Sequence, residues 1–182
     1  MINLYNKDCM EAMAGFEDNS FDLAIVDPPY KNDVNGLKAG FNRSQFNYEP
    51  LSKPPTKKYI KELFRVSKSQ ILWGFNYYLE LLPNTDNVIC WFKHQNGHFS
   101  ECEYAWSSIK KSRLFDRSYQ KDLYNKIHPT QKPVALYEWL LMNYAKERDK
   151  ILDLQYAPED VAFPRGVSNM DKYKDRSSIY RK

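Results

Sequence analysis

The chain has 182 residues and a mass of 21.6 kDa, which predicts one domain. Hydrophobic residues make up 42% of it and charged residues 27%, so a folded globular protein is expected and a disordered one is excluded. The net charge of +4 is uneven: residues 1–30 carry one lysine against six acidic residues, whereas residues 31–150 sum to +8. A basic body behind an acidic first segment fits a surface that binds a polyanion.

Neither a membrane span nor a secretion signal is expected. No stretch is apolar over the roughly 18–20 residues that a membrane helix needs, and the N-terminus lacks a basic and then apolar pattern. Three cysteines, with no Cys-x-x-Cys spacing, argue against a disulfide framework. These features predict a cytoplasmic protein without a membrane partner.

The first thirty residues predict a helix followed by a buried strand. Apolar side chains recur with helical spacing over residues 9–16. The continuous apolar run from Phe21 to Val26 is typical of a strand that is covered on both faces. The sequence Asp27-Pro28-Pro29-Tyr30 follows at once, and two prolines cannot continue a central strand. The chain should therefore leave the sheet at Asp27.

Residues 31–56 are rich in polar residues, Gly and Pro, and predict a long loop. Helical spacing returns at residues 57–66, and further strands are predicted at 70–75 and 88–92. A turn at Asn96-Gly97 then predicts a hairpin, with the returning strand within residues 99–109.

The last predicted elements follow a basic stretch. Pro133 suits the first turn of a helix whose apolar face carries Leu136, Trp139, Leu140 and Tyr144. Residues 150–154 predict the beginning of one more strand. Residues 155–182 give no clear helix or strand, so we treat them as a divergent tail.

The tetrapeptide after the first strand has the chemistry to hold an exocyclic amine. The two prolines have no N–H, and the Asp27 carboxylate only accepts hydrogen bonds when it is ionised. Together they offer acceptors to an amine that has two hydrogens to donate, and Tyr30 offers a flat face for a base. A turn that merely ends a strand and exposes an aspartate explains the same residues about equally well.

In this motif the chain resembles the DNA amino-methyltransferases, which modify adenine N6 or cytosine N4 with S-adenosylmethionine. Asp27-Pro28-Pro29-Tyr30 matches the catalytic tetrapeptide of that family, residues 126–133 (Lys-Ile-His-Pro-Thr-Gln-Lys-Pro) its segment before the cofactor strand, and Ile151-Leu152-Asp153 the opening of that strand. The order of these blocks is that of the beta-type subgroup. The segments at residues 73–77, 90–93 and 104–106 resemble the blocks in between.

The resemblance implies an α/β fold: a Rossmann-like S-adenosylmethionine-dependent methyltransferase sheet, incomplete, with an antiparallel hairpin. It divides the chain into a methyltransferase-like domain at 1–154 and the tail at 155–182. Within the domain it implies a catalytic block at 21–30, a recognition region at about 109–125 and a cofactor-side block at 126–154. It implies that the enzyme acts on double-stranded DNA and swings an adenine out of the duplex.

The site residues that the resemblance implies form three groups. Catalytic roles fall on Asp27, Pro28, Pro29 and Tyr30. Cofactor contacts fall on Asp27, His128, Lys132 and Asp153. DNA contacts fall on the basic residues of the recognition region, for which a solvated basic loop is an equal alternative: Lys110, Lys111, Arg113, Arg117 and Lys121. His128 and Lys132 could equally be ordinary turn residues.

The sequence departs from the family pattern after Leu154. The family places a glycine-rich turn after Ile-Leu-Asp, which lets the backbone approach the cofactor. Here no glycine occurs between Leu154 and Gly166, and Pro158 would obstruct such a turn. We favour a chain truncated or frameshifted at about residue 154 over a compact variant that rebuilds the pocket. Both an active adenine-N6 methyltransferase and a non-catalytic DNA-binding remnant therefore stay open, with a methyltransferase for RNA or protein amines as a weaker third.

No metal site is expected. Cys90, His94, His98 and Cys102 recur every fourth residue, but on a helix they would span about 18 Å, too far for one ion. A hairpin that turns at Asn96-Gly97 is the simpler interpretation.

Overall fold

The computed structural model describes residues 7–29, 54–95, 100–121 and 132–154, together with Asn3 and Tyr5. The α-helices in these ranges are α1 (Cys9–Ala14), α2 (Lys57–Val66) and α3 (Val134–Tyr144), and two short 3-10 helices follow at Phe75–Tyr77 and Leu79–Leu81. The strands are β1 (Leu23–Val26), β2 (Gln70–Trp73), β3 (Val88–Phe92), β4 (Cys102–Ser107), β5 (Arg113–Asp116) and β6 (Ile151–Leu152). None of these helices has both the length and the apolar character that crossing a membrane requires.

The strands form one mixed sheet in the order β5-β3-β4-β2-β1-β6. Strand β1 is parallel to β2 and β6, and β3 is parallel to β5. Strand β4 is antiparallel to both of its neighbours. Five strands therefore run in one direction, and their carboxyl ends share one edge of the sheet. The mixed α/β sheet with an antiparallel pair confirms the predicted fold class.

Local sequence explains where the helices begin. The Asp8 side chain accepts hydrogen bonds from the N–H groups of Met10 and Glu11, which caps α1. The Thr56 hydroxyl caps α2 in the same way, by accepting from the N–H of Tyr59. Each cap satisfies N–H groups that have no partner within the first helical turn.

Helices cover both faces of the sheet. On one face, α1 and α2 bury Met13, Tyr59 and Leu63 against alternate residues of β1, β2 and β4. On the other face, α3 buries Leu136 and Leu140 against the remaining residues of the strands. Strand β1 is consequently buried along its whole length, as its continuous apolar run predicts.

The predicted elements agree with the structure except in the basic stretch. Helices α1, α2 and α3 and strands β1 to β4 and β6 lie where the sequence places them, within a few residues. Strand β5 was not predicted: it lies inside the recognition region at about 109–125 and adds a parallel edge strand to β3. The predicted loop at 31–56, apart from its last three residues, the turn at Asn96-Gly97 and the tail lie outside the described residues.

Candidate active site at the carboxyl edge of the sheet

Asp27 lies at the carboxyl edge of the sheet, in its parallel half. It follows β1 directly, and Asp153 follows β6, the parallel neighbour of β1. Strand β1 ends at Val26, so the chain leaves the sheet at Asp27, where the two prolines predict it. Pro28 is buried and Pro29 is partly buried. Open α/β sheets bind their ligands at this edge, outside the carboxyl ends of the strands.

A buried lysine binds the Asp27 carboxylate. The Lys132 Nζ lies 2.6 Å from Asp27 Oδ2, and the lysine side chain is only 2% exposed. Lys132 precedes α3, and the packing of α3 on the sheet brings it over the carboxyl edge. Its ammonium also lies 5.3 Å from the ring centroid of Trp73, at the end of β2. The ring face adds a cation–π attraction to the ion pair.

A second acidic residue shares this lysine. Glu103 on β4 places Oε2 at 3.3 Å from Lys132 Nζ and Oε1 at 3.1 Å from Lys93 Nζ. Burial acts to raise the pKa of Glu103, but the charges of Lys132 and Lys93 outweigh it and hold that pKa below its usual value. Glu103 is therefore ionised at neutral pH. Sequence analysis missed Glu103 and Lys93, although each is a charged residue beside or within an apolar strand.

Asp153 and Tyr137 complete the cluster, and both have raised pKa values. Burial, with the nearby charge of Asp27, raises the pKa of Asp153 to about 6. Burial and the charges of Asp153 and Asp27 also raise the pKa of Tyr137, a residue of α3 that therefore stays neutral. Perturbed groups that gather at a sheet edge are typical of functional sites.

The residues present fit a ligand that carries both an ammonium and a carboxylate. Asp153 and Asp27 are acceptors for a cation, and Lys132 is a donor for an anion. The indole Nε1 of Trp73 is buried and has no acceptor among the residues that the structure describes, so an acceptor on a ligand would satisfy it. These donors and acceptors match the amino-acid end of S-adenosylmethionine, the cofactor that the resemblance implies.

The structure brings together five of the residues to which the resemblance gives catalytic or cofactor roles, Pro29 being the residue after Pro28. Asp27 and Lys132 are in direct contact, Asp153 lies within electrostatic range of Asp27, and Pro28 continues from Asp27. Tyr30 and His128 lie outside the described residues. Lys132, expected to meet a cofactor carboxylate, pairs here with Asp27 and Glu103.

No group of three or more potential metal-binding side chains forms in the described ranges. Cys90 lies on β3 and Cys102 on β4, so a helical arrangement of these residues is excluded. His94 follows β3 and contacts Asp116 at the end of β5. His98 lies outside the described residues.

Two curated proteins show what the chain is similar to. It is 25% identical to the type II methyltransferase M.HpaI of Haemophilus parainfluenzae, over 80% of this chain and 60% of that protein. It is 22% identical to the type II methyltransferase M2.MboI of Moraxella bovis, over 84% of this chain and 74% of that protein. In sequence, this chain is similar to these two type II methyltransferases. It spans about 60% of the length of M.HpaI.

Comparisons with family models and with solved structures give weaker matches or none. No family model matches the chain. A solved structure from Thermus thermophilus, described as a DNA modification methylase, gives a TM-score of 0.47 at 17% identity and covers 81% of this chain and 76% of that one. The same protein in complex with S-adenosyl-L-methionine gives a TM-score of 0.46 at 15% identity, over 80% and 75% of the two chains.

The basic residues expected to contact DNA in such a methyltransferase lie at both ends of strand β5. Some lie at the edge of the sheet where the parallel strands begin, and the others lie at the carboxyl edge. Lys110, Lys111 and Arg113 lie at the start of β5, at the edge opposite Asp27. Lys111 donates to the backbone oxygen of Asn143 in α3, at 3.2 Å, so it also has a structural contact. Arg117 and Lys121 follow the end of β5, at the same edge as Asp27.

Proposed function

We propose that the chain transfers a methyl group from S-adenosylmethionine to the N6 amine of adenine in DNA. The observation that carries the proposal is the position of Asp27: a carboxylate at the carboxyl edge of a buried parallel strand, held by a buried lysine and followed by two prolines. The relation in sequence to M.HpaI and M2.MboI supports the same reaction type.

The chemistry of the target explains the need for these acceptors. The lone pair of the adenine amine is delocalised into the ring, which makes the amine a weak nucleophile. Acceptance of both amine hydrogens, by the Asp27 carboxylate and the Pro28 carbonyl, favours a pyramidal nitrogen and makes the lone pair available. One hydrogen leaves as a proton during the reaction, and the Asp27 carboxylate is the acceptor that would hold it.

The acidic and basic groups beside Asp27 would hold the cofactor. Asp153 would accept from its ammonium, and Lys132 would donate to its carboxylate. When bound, S-adenosylmethionine supplies a methyl group activated by a positively charged sulfur. The residues of this chain contribute position, because holding two reactants in line replaces a bimolecular encounter.

The DNA would approach over the edge that carries Asp27. An adenine reaches the site only after it has swung out of the duplex, and Tyr30 is the residue proposed to stack on it. Arg117 and Lys121 are the basic residues proposed to contact phosphates at this edge. The aspartate at the head of the tetrapeptide favours adenine over cytosine, because cytosine-N4 members of the family more often begin with serine. We also propose a cytoplasmic location, as the sequence predicts.

The test is a methyl-transfer assay with isotope-labelled S-adenosylmethionine and unmethylated double-stranded DNA, followed by nucleoside analysis. We expect label in N6-methyladenine only, for the native chain and for the control variant Asp86→Asn, which changes an exposed residue at the opposite edge. Asp27→Asn should lose transfer and keep the fold. Label in N4-methylcytosine or in RNA would redirect the proposal, and undiminished transfer by Asp27→Asn would refute it. Binding of DNA without binding of the cofactor would identify a non-catalytic DNA-binding protein.

A further inference from the structure

Four side chains of alternating charge run across the carboxyl edge of the sheet. Lys93, Glu103, Lys132 and Asp27 follow one another at N–O distances of 3.1, 3.3 and 2.6 Å. We propose that Glu103 is a positioning residue that acts on Asp27 through Lys132. This role rests on the proposed function, because Glu103 would set the charge and the orientation of the Asp27 carboxylate that accepts hydrogen bonds from the amine.

Strand pairing fixes the place of Glu103. It pairs with Trp91 in the antiparallel ladder of β3 and β4, and Lys93 stands two residues beyond Trp91. Lys93 and Glu103 are therefore diagonal neighbours on one face of the sheet, a spacing that long side chains bridge. The N–H of Lys93 also donates to the backbone oxygen of Glu101 at 2.8 Å, which holds this part of the ladder in register. The Glu103 carboxylate is consequently attached to a rigid support.

Lys132 connects that support to Asp27 across an intervening strand. Strand β2 lies between β4 and β1 in the sheet, and its last residue, Trp73, presents its ring to the lysine ammonium. One ammonium therefore reaches a carboxylate on either side of β2. Lys132 and Lys93 are both nearly excluded from water, with side chains 2% and 11% exposed. Buried charges persist when they are matched in this way, and removal of one partner leaves its neighbours uncompensated.

The arrangement determines how much positive charge Asp27 meets. If Glu103 were absent, the Lys132 ammonium would pair with Asp27 alone and would neutralise the charge of the Asp27 carboxylate more fully. A carboxylate that is tightly paired with lysine is a weaker acceptor for an incoming amine. With Glu103 competing for the ammonium, Asp27 retains more of its negative charge and a fixed direction. Lys93 has the opposite influence, because it moderates the attraction of Glu103 for Lys132.

The test titrates the Asp27 carboxyl carbon by NMR in protein labelled at aspartate, in the full chain without ligand. Glu103→Gln removes a like charge and gives Lys132 wholly to Asp27, so the titration midpoint of Asp27 should fall by about one unit. Lys93→Met removes a positive charge and draws Lys132 towards Glu103, so the same midpoint should rise by about half a unit. The control variant Glu101→Gln makes the same Glu-to-Gln change at an exposed position two residues from Glu103. It should leave the titration midpoint of Asp27 unchanged.

The opposite signs distinguish a positioning role from a structural one. If Glu103 and Lys93 only supported the fold, the titration midpoint of Asp27 would move in the same direction in both variants or would not move. Either result would overturn the proposal. If Glu103→Gln fails to fold, the rise expected in Lys93→Met decides, because an unchanged or lower Asp27 midpoint in that variant would overturn the proposal.

A second measurement relates the positioning to the reaction. Under saturating S-adenosylmethionine and DNA, Glu103→Gln should slow single-turnover methyl transfer about tenfold or more. Undiminished transfer in a variant with a shifted Asp27 midpoint would overturn the catalytic purpose of the network. If the native chain transfers no methyl group, the proposed function fails, while the NMR titration still decides whether Glu103 acts on Asp27.

Discussion

Asp153 and Asp27 follow neighbouring parallel strands, and burial together with the charge on Asp27 raises the pKa of Asp153 to about 6. Their proximity is favourable only when a positive charge lies between or beside them. Lys132 supplies one such charge to Asp27. A ligand ammonium would supply another to Asp153, which links cofactor binding to pH.

The first prediction concerns that link. Below pH 6 Asp153 is mainly protonated and loses its attraction for a cation, so S-adenosylmethionine should bind more weakly at pH 5 than at pH 7.5. Calorimetric titration at the two pH values measures the difference, and Asp153→Asn should remove most of it. Asp86→Asn, at the opposite edge, should behave as the native chain. Equal affinity of the native chain at both pH values would show that Asp153 does not meet the cofactor ammonium.

The same shift predicts a change in stability. In the folded chain the pKa of Asp153 lies above its ordinary value of 3.8, so folding favours the protonated carboxyl. The free energy of folding that this preference contributes is fully present below pH 3.8 and is lost as the pH rises through about 6. Asp153→Asn avoids that loss and should stabilise the ligand-free chain at pH 8 by about 1 kcal/mol. This figure is reduced for solvent screening, because Asp153 keeps solvent-accessible surface although protein atoms crowd its carboxyl group. At pH 4 the two proteins should be nearly equal. Urea unfolding at both pH values measures this, and an equal gain at pH 4 would contradict the electrostatic origin.

A third prediction tests how α3 is held to the sheet. Leu140 is fully buried on the sheet-facing side of α3, whereas Met142, two residues later, is 85% exposed. Leu140→Ala should lower the free energy of unfolding by about 2–5 kcal/mol, because it removes transfer energy and leaves a cavity. Met142→Ala, in the same helix, should change it by less than about 0.5 kcal/mol. Comparable losses in the two variants would mean that α3 does not pack through Leu140.

Most of the fold was predictable because its signals are local. The apolar run before Asp27 indicates a buried strand, and helical spacing over residues 57–66 matches α2 to the residue. Strand β5 was missed because only Phe115 of its four residues is buried, so it carries hardly any apolar pattern. Edge strands with one buried side chain are set by pairing with a neighbour, here β3, rather than by their own sequence.

The candidate site was only partly predictable, because its contacts are long-range. The motif indicates Asp27, but the contact with Lys132 joins residues 105 positions apart in the chain. The sequence assigns Lys132 a cofactor role by resemblance and assigns Glu103 none. Only the order of the strands shows that Glu103, Trp73 and Asp27 lie side by side. A charged residue within an apolar strand is the one local signal that could have identified Glu103.

The last prediction concerns DNA binding and depends on the direction of β5. Lys110 precedes this strand and Lys121 follows its end, so the two exposed lysines lie towards opposite edges of the sheet. The four residues of β5 alone separate these edges by about 10 Å, at about 3.3 Å per residue. If DNA lies over the edge that carries Asp27, Lys121 should contact a phosphate and Lys110 should not. Lys121→Gln should then weaken DNA binding and reduce the slope of log affinity against log salt by about one. Lys110→Gln removes the same charge from the protein and should leave that slope unchanged, which excludes a mere effect of net charge.

Fluorescence anisotropy with a double-stranded oligonucleotide at several salt concentrations measures the slope for both variants. If Lys110→Gln reduces the slope and Lys121→Gln does not, DNA binds at the opposite edge and the adenine could not reach Asp27.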